Sequence, residues 1–311
     1  MLAALLVMTL ASPAVLEHAG RTYPLYPATT EACPDLDSPL DADGREYVII
    51  ELRDGTFGLA DVTRADHPEQ IRADDEFPHL AATGLHDPAH LAALTHLNDR
   101  PLADIDRDAR PGALSEDGFM AADESVVAVM AGDDRLVRAM DLAHPDLARP
   151  LWHIWNLVQT DLRLGRWSTA RHRWDNVRRL KYNGLWVTVD AHDTKGGQRS
   201  PFGDGLDGGF WMVFWRPVPV AEQEWLHERY GQHGPERWNE LLGRLTRVYT
   251  GEMEAFFITR YGFYEGHTDW RVDPPGLAWL FGLRTLRELE AAFPGELDEA
   301  LLDHWTVIPT R

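Results

Sequence analysis

The dipeptide Asn183-Gly184 lies between two runs of alternating side chains, Val177–Tyr182 and Leu185–Asp190. A two-residue hairpin turn demands positive φ at both central positions, which Asn and Gly tolerate best, so this pair specifies an antiparallel hairpin. Phe210–Val218 is aromatic-rich and runs into Pro217 and Pro219; it reads as a third strand, giving a meander over about 177–218. A second hairpin is expected from Glu46–Leu52 and Thr56–Val62 around Asp54-Gly55, behind an acidic turn-rich stretch, Asp35–Gly44.

Helical periodicity dominates elsewhere. Asp87 reads as the cap of a segment reaching His96, Glu124–Met130 and Arg135–Leu142 as short helices around Gly132, and Leu147–Leu164 as a longer one. After the meander, helices are expected over Ala221–Tyr230, Glu236–Tyr261, Leu277–Phe293 and Leu297–Trp305. The class is therefore α+β, with antiparallel hairpin and meander segments and a predominantly helical remainder.

The chain divides by chemistry near residue 145. Residues 1–150 hold 28 acidic side chains against 11 Lys and Arg, whereas residues 151–311 hold 22 against 19, and all 12 Trp lie between Trp152 and Trp305. The regions expected are an acidic α+β unit at 15–145 and a Trp-rich α+β unit at 146–311 carrying the site. A net charge of −20 opposes nucleic acid and anionic membrane surfaces as partners, so a small molecule or glycan is the ligand class expected. Oligomeric state leaves no trace in the sequence. Cys33, the single cysteine, can form neither an intrachain disulfide nor a Cys-based zinc site.

Residues Met1–Leu16 carry no charged side chain, and the apolar run Leu2–Leu10 precedes Ser12-Pro13-Ala14, small residues where a signal peptidase cleaves. A signal peptide over residues 1–14 and a periplasmic or secreted protein are expected. The run is too short to span a bilayer, so no membrane insertion is expected.

Several motif matches fail on context. Gly203-Asp204-Gly205-Leu206-Asp207-Gly208 has dinucleotide-fingerprint spacing, yet a strand rather than a helix follows it and two aspartates would repel phosphates; no nucleotide cofactor is expected. His86 and His90 have metal-ligand spacing, but His86 falls outside the helix that Asp87 caps. Asp41-Ala42-Asp43-Gly44 reads as a solvated turn, not a calcium loop. Arg163–Lys181 carries seven basic residues against one acidic residue, with Trp167 and Trp174 interleaved, a patch suited to a polyanion such as a uronic or sulfated glycan, although pairing with the acidic half is the simpler reading.

Two stretches carry more chemistry than a fold needs. Asp190–Gly209, read as a long loop between strands, holds six glycines after Lys195 together with His192, Asp193, Lys195, Arg199, Ser200, Asp204 and Asp207. In Glu265–Asp273 an ionisable residue recurs at every second position, so an extended backbone would put Glu265, His267, Asp269, Arg271 and Asp273 on one face. Glu252 borders the apolar stripe of the expected long helix, where a carboxyl must be paired or protonated; Glu254 reads as solvated.

The function expected is an exported hydrolase acting on a saccharide or other polar substrate, its abundant Trp offering faces for sugar rings. Two mechanisms are open. Paired carboxylates would set Asp193 or Asp204 against Glu265, with His267 also catalytic and Lys195, Arg199, Asp204 and Arg271 binding substrate. A metal-assisted route would use His192, His267 and Asp269 around zinc or calcium. The competing class is a non-catalytic periplasmic or extracellular ligand-binding protein.

Overall fold

A computed structural model describes residues 76–163, 167–168, 173–174, 178–183, 185–230 and 247–293, together with strand backbone at 15–18, 21–26, 33–42, 45–51 and 57–61. The side chains of residues 156–181, 193–196 and 229–230 lie outside the description, as do residues 1–14 with the expected signal peptide and 294–311 with the expected last helix.

The chain is α+β. Strands β1 (Val15–His18), β2 (Arg21–Tyr26), β3 (Cys33–Ala42), β4 (Arg45–Glu51) and β5 (Phe57–Asp61) precede the helices α1 (Pro78–Thr83) and α2 (Pro88–Ala93). A small ribbon follows, β6 (His96–Leu97) with β7 (Arg100–Pro101), and then α3 (Leu102–Asp108), α4 (Val126–Ala139) and α5 (His144–Arg163). The second half holds β8 (Trp167–Ser168), β9 (Arg173–Trp174), β10 (Arg178–Tyr182), β11 (Leu185–Arg199), β12 (Asp207–Trp215), α6 (Val220–Tyr230), β13 (Arg247–Gly251), α7 (Glu254–Tyr261), α8 (Pro274–Leu280) and α9 (Leu286–Ala292).

The main sheet runs β1-β2-β5-β4-β3-β10-β11-β12-β13. Its β10–β11 pair is the expected hairpin, Tyr182 facing Leu185 across Asn183, whose φ is 45°. The β4–β5 hairpin also forms as expected, Tyr47 facing Asp61. Asp35–Gly44 differs from its expectation: the acidic stretch is mostly β3, paired antiparallel with β4 and, at Asp35, parallel with Lys181 of β10.

Three further expectations are corrected. Glu124–Leu142 contains one helix rather than two, since α4 runs through Gly132. Glu236–Tyr261 is not one helix: Arg247–Gly251 pairs with β12 as β13, and only Glu254–Tyr261 is helical there, residues 231–246 being outside the description. The Leu277–Phe293 segment contains parts of two short helices, α8 and α9, parted by Gly282 at φ 69°.

Among the described residues two apolar clusters form the core, and each draws on residues from both sides of position 145. In the first, Val187, Val189, Met212 and Phe214 of the sheet meet Leu151 and Ile154 of α5 and Trp279 and Leu289 near the C-terminal end of the described chain. In the second, Ile105, Phe119 and Met130 meet Phe202 and Phe256, Phe257 and Tyr261 of α7. Helix α7 thus supplies both cores, and every residue in it except Arg260 is buried.

The helix stops where Gly262 takes φ 58°, its N–H closing on Ile258 O at 3.0 Å. A Cβ there would sit 2.6 Å from His86 Nε2 and 2.9 Å from His144 Nε2, both on buried rings. Gly262→Ala combines left-handed strain with overpacking and should destabilise the fold by about 1–3 kcal/mol in urea denaturation. A loss below about 0.5 kcal/mol would contradict this packing.

Candidate functional site

The site is built on the cross-strand face of β11, β12 and β13. His192 and Trp211 are register partners, and their rings stack at 4.1 Å and 15°. Tyr249 on β13 lies 5.9 Å from the same indole at 23°. Trp270, from the segment after α7, meets Trp211 at 6.2 Å and 65°, so two indoles form a corner.

That corner walls a cleft of about 240 Å³. Phe210, Glu252, Asp117 and Glu116 are among its other linings. Gly208 makes room for the Glu252 side chain, because a Cβ at 208 would come within 3.2 Å of Glu252 Cγ. The neighbouring Gly209 N–H donates to Glu252 Oε1 at 2.6 Å. The Trp270 indole N–H donates to Asp117 Oδ2 at 3.1 Å. Aromatic faces and carboxylates therefore share one opening.

What holds Trp270 there is a buried charge cluster. Asp133 falls on the apolar stripe of α4, with Val126, Val129, Met130 and Val137, so its carboxylate is carried into the interior. Arg271 meets it, Nη2 to Asp133 Oδ1 at 2.6 Å, and its Nε donates to Asp273 Oδ1 at 3.1 Å. The three side chains are 5, 1 and 3% exposed for Arg271, Asp133 and Asp273. Arg271 Nη1 also donates to the Glu265 carbonyl, closing the turn on itself. Burial pushes the Asp133 carboxyl up, against the pull of Arg271; the two carboxylates raise Arg271 despite its own desolvation, keeping the guanidinium charged.

Two more carboxyls are buried beside it. Burial pushes Glu265 up to about 8, opposed by the Thr268 hydroxyl and Arg271 and reinforced by Asp117. Thr268 Oγ1 donates to Glu265 Oε2 at 2.9 Å and accepts the Trp270 backbone N–H at 3.2 Å, so Glu265 supports the turn that presents Trp270. Glu254 is fully buried, and neither of its carboxyl oxygens has a hydrogen-bond partner among the described residues. Burial, with Glu265 and Asp133 nearby, raises it well above the ordinary carboxylate range and so favours its neutral form. The expectation of a solvated Glu254 is reversed, because α7 is enclosed on nearly all sides.

A second polar layer runs under Gly262. His144 bridges the Tyr264 hydroxyl at 3.0 Å and Asp134 Oδ1 at 3.3 Å, and Asp134 also accepts from Arg138 and from the His86 backbone. His86 Nε2 lies 2.8 Å from the Tyr261 carbonyl, so it donates there. Burial, with His144 adjacent, lowers His86 to about 4 and keeps the ring neutral.

The residues expected from sequence distribute as follows. His192 reaches Trp211 and the Asp190 carboxylate, Nε2 to Oδ2 at 3.0 Å. The supposed Asp190–Gly209 loop is largely strand: β11 continues to Arg199 and β12 starts at Asp207, with an irregularity in register between Asp193 and Gln198. Glycines at 208 and 209 suit close backbone approach as well as they suit a loop. Asp193 pairs with Phe210 and Lys195 lies within β11, their side chains being outside the described residues.

Arg199 forms a solvated pair with Asp207 at 3.4 Å. Asp204 accepts from the Leu206 N–H and the Tyr261 hydroxyl at 2.9 Å, a structural turn rather than a cleft carboxylate.

The one-face arrangement of Glu265–Asp273 is also corrected. The segment is a succession of bends and a turn, with Glu265 at φ 60°, so period-two alternation never applies. Glu265 and Asp273 are buried while His267 and Asp269 are exposed. His267 accompanies Glu124: its backbone N–H donates to Oε2 at 2.9 Å, and its Nδ1 contacts Oε1. Burial raises Glu124, but hydrogen bonds from the His267 ring and from the Ala121 and His267 backbone outweigh it and hold the carboxyl low.

His267 and Arg271 line a separate cavity of about 480 Å³ with Gly132, Arg135 and Leu136. Among the described residues no group of three or more His, Cys, Asp or Glu could hold a metal, so His192, His267 and Asp269 do not assemble as a ligand set. Trp211 and Trp270 are where the two stretches meet. Asp117 and Glu116 carried no sequence signal, whereas Asp133 had one: a carboxylate at an apolar-stripe position of α4.

No family model matches the chain, and no curated protein or solved structure matches it either.

The buried groups predict the pH dependence of stability. Folded Glu265, at about 8 against 4.5, keeps a proton that the unfolded chain has released, so its contribution is lost as pH rises through about 8; Glu254 acts in the same direction. His86, at about 4 against 6.5, acts oppositely: between those values the unfolded chain binds the extra proton, and stability rises with pH. From about pH 6.5 to 8, with His86 no longer titrating, these carboxyls set the slope among the shifted groups described, and the melting temperature should fall by roughly 3–6 °C. Glu265→Gln should flatten that fall. An equal slope in the variant would show that Glu265 is not the titrating group.

Proposed function

We propose that the Trp211–Trp270 cleft binds a saccharide ring and that the protein is an exported hydrolase acting on it. The observation that carries this reading is the indole corner at 6.2 Å and 65° over a cleft bordered by Asp117 and Glu252. Sugar rings present C–H faces that stack on indoles and hydroxyls that bond to carboxylates. The cleft is smaller than the roughly 300–1,000 Å³ of a drug-sized pocket, so it suits one ring of a longer chain held at an open surface.

Asp117 and Glu252 replace the Asp193, Asp204 and Glu265 set as the carboxylate pair. Asp117 is oriented by the Trp270 indole and Glu252 by the Gly209 N–H, which limits both side chains to defined positions. In a paired-carboxylate mechanism one donates a proton to the departing oxygen, while the other attacks the anomeric carbon or activates water. Glu265, beneath the surface, acts through Thr268 as a positioning residue for Trp270. Export rests on the apolar run and small residues at 1–14.

A non-catalytic ligand-binding protein would use the same cleft. What favours it is that both carboxyls already accept hydrogen bonds from protein groups.

Titration of a panel of oligosaccharides by intrinsic Trp fluorescence tests the site. Trp270→Ala should weaken the best ligand by about tenfold, from loss of roughly 1 kcal/mol of stacking and more from the freed Asp117, with little change in melting temperature. Glu252→Gln should abolish hydrolysis while retaining binding. Unchanged affinity in Trp270→Ala would contradict the cleft assignment, and binding with no turnover in the wild type would leave the binding-protein reading.

A further inference from the structure

We infer that the ring held in the Trp211–Trp270 cleft carries a protonated amine, so that the ligand class is an amino sugar; this rests on the saccharide reading above. The charge of the walls is the first reason. Glu116, Asp117 and Glu252 all line the cleft, and its described lining includes no Lys, Arg or His. Among the described residues Asp117 uses one oxygen, Oδ2, to take the Trp270 indole N–H and forms no ion pair, while the Glu116 carboxylate makes no hydrogen bond or ion pair, its backbone carbonyl alone accepting from the Gly112 N–H. Both are exposed, so a ligand reaches them without displacing a protein cation.

Ring geometry is the second. A cation near the faces of two crossed indoles is attracted by both quadrupoles, and the effect adds to the pull of carboxylates at the rim. Trp211 and Trp270 lie in the same lining as Glu116 and Asp117, and the Trp270 indole N–H touches Asp117 at 3.1 Å, so both attractions act within one cleft. A uronic or sulfated sugar would instead bring its anion against three carboxylates. The field of the whole chain points the same way: a net charge of −20, concentrated in the half that contributes Glu116 and Asp117, raises the local concentration of cations.

Ring and charge must both be present. A free ammonium ion would use the carboxylates without stacking on the indoles, and a neutral sugar would stack and hydrogen-bond but leave the negative charge of Glu116 and Asp117 uncompensated.

The test compares tetramers of glucosamine, N-acetylglucosamine and glucose by Trp fluorescence titration on the full chain, at low salt and below the pKa of the amine. The glucosamine tetramer should bind about tenfold more tightly than the glucose tetramer. That preference should shrink as salt rises and in the Glu116→Gln/Asp117→Asn double variant, whose melting curve and Trp emission spectrum report whether the cleft is intact.

Equal affinity for all three tetramers would overturn the amine inference and leave the saccharide reading standing. Failure of all three to bind, or binding of choline alone, would overturn both. A glucosamine preference undiminished in an intact double variant would overturn the assignment to Glu116 and Asp117.

Discussion

One buried guanidinium organises the region between α4, α7 and the sheet. Arg271 lies between Asp133 and Asp273 and also holds the Glu265 carbonyl, so an irregular segment that makes few ladder bonds is fixed by ion pairs. Desolvating such charges is costly, and their attraction in a poorly polarisable interior offsets that cost only when geometry is good and each lone pair is engaged. The consequence at the surface is positional. Three residues on from the clamped Glu265 carbonyl, Thr268 bonds the Glu265 carboxyl, and Trp270 is presented to Asp117 and Trp211. On the other side His267 meets Glu124.

The same region stores protons. Burial opposes the ionisation of both Glu254 and Glu265 and favours their neutral forms, and of the two only Glu265 has its carboxyl bonded among the described residues, by Thr268. The pair next to Arg271 therefore adds little charge to the cluster, which stays close to a cation between two carboxylates. Beneath it, His144 and Asp134 tie α4 and the start of α5 to Tyr264, and Gly262 is required because two imidazoles occupy the space a side chain would need. The candidate cleft on one side and the buried polar cluster on the other are thus positioned by one short stretch of chain.

Local features were legible in the sequence. Asn183-Gly184 fixed its hairpin by turn chemistry alone, the Glu46–Val62 hairpin followed from Asp54-Gly55, and Asp87 does cap α2, accepting the Ala89 N–H at 2.9 Å. Non-local decisions were not. Residues near Val248 and Tyr249 fit a helical stripe and a strand equally well, and the vacant edge of β12 settles the matter by pairing with them. Asp190–Gly209 has loop composition, yet its ends pair across an irregular register. The alternating charges of Glu265–Asp273 suggested a strand, but Glu265 at φ 60° and the bend at Thr268 send neighbours to different environments. Trp abundance hinted at an aromatic site without indicating which two of twelve would meet, and Asp117, from a distant loop, gave no signal.

A double-mutant cycle between Arg271 and Asp133 tests the central claim most directly. Arg271→Met and Asp133→Asn should each lose about 3–5 kcal/mol in denaturant unfolding, since each strands a buried charge or its partner. The double variant removes both charges, so its loss should fall short of the sum by at least about 1 kcal/mol. Strict additivity of the two losses would contradict a clamp in which Arg271 and Asp133 act as one unit.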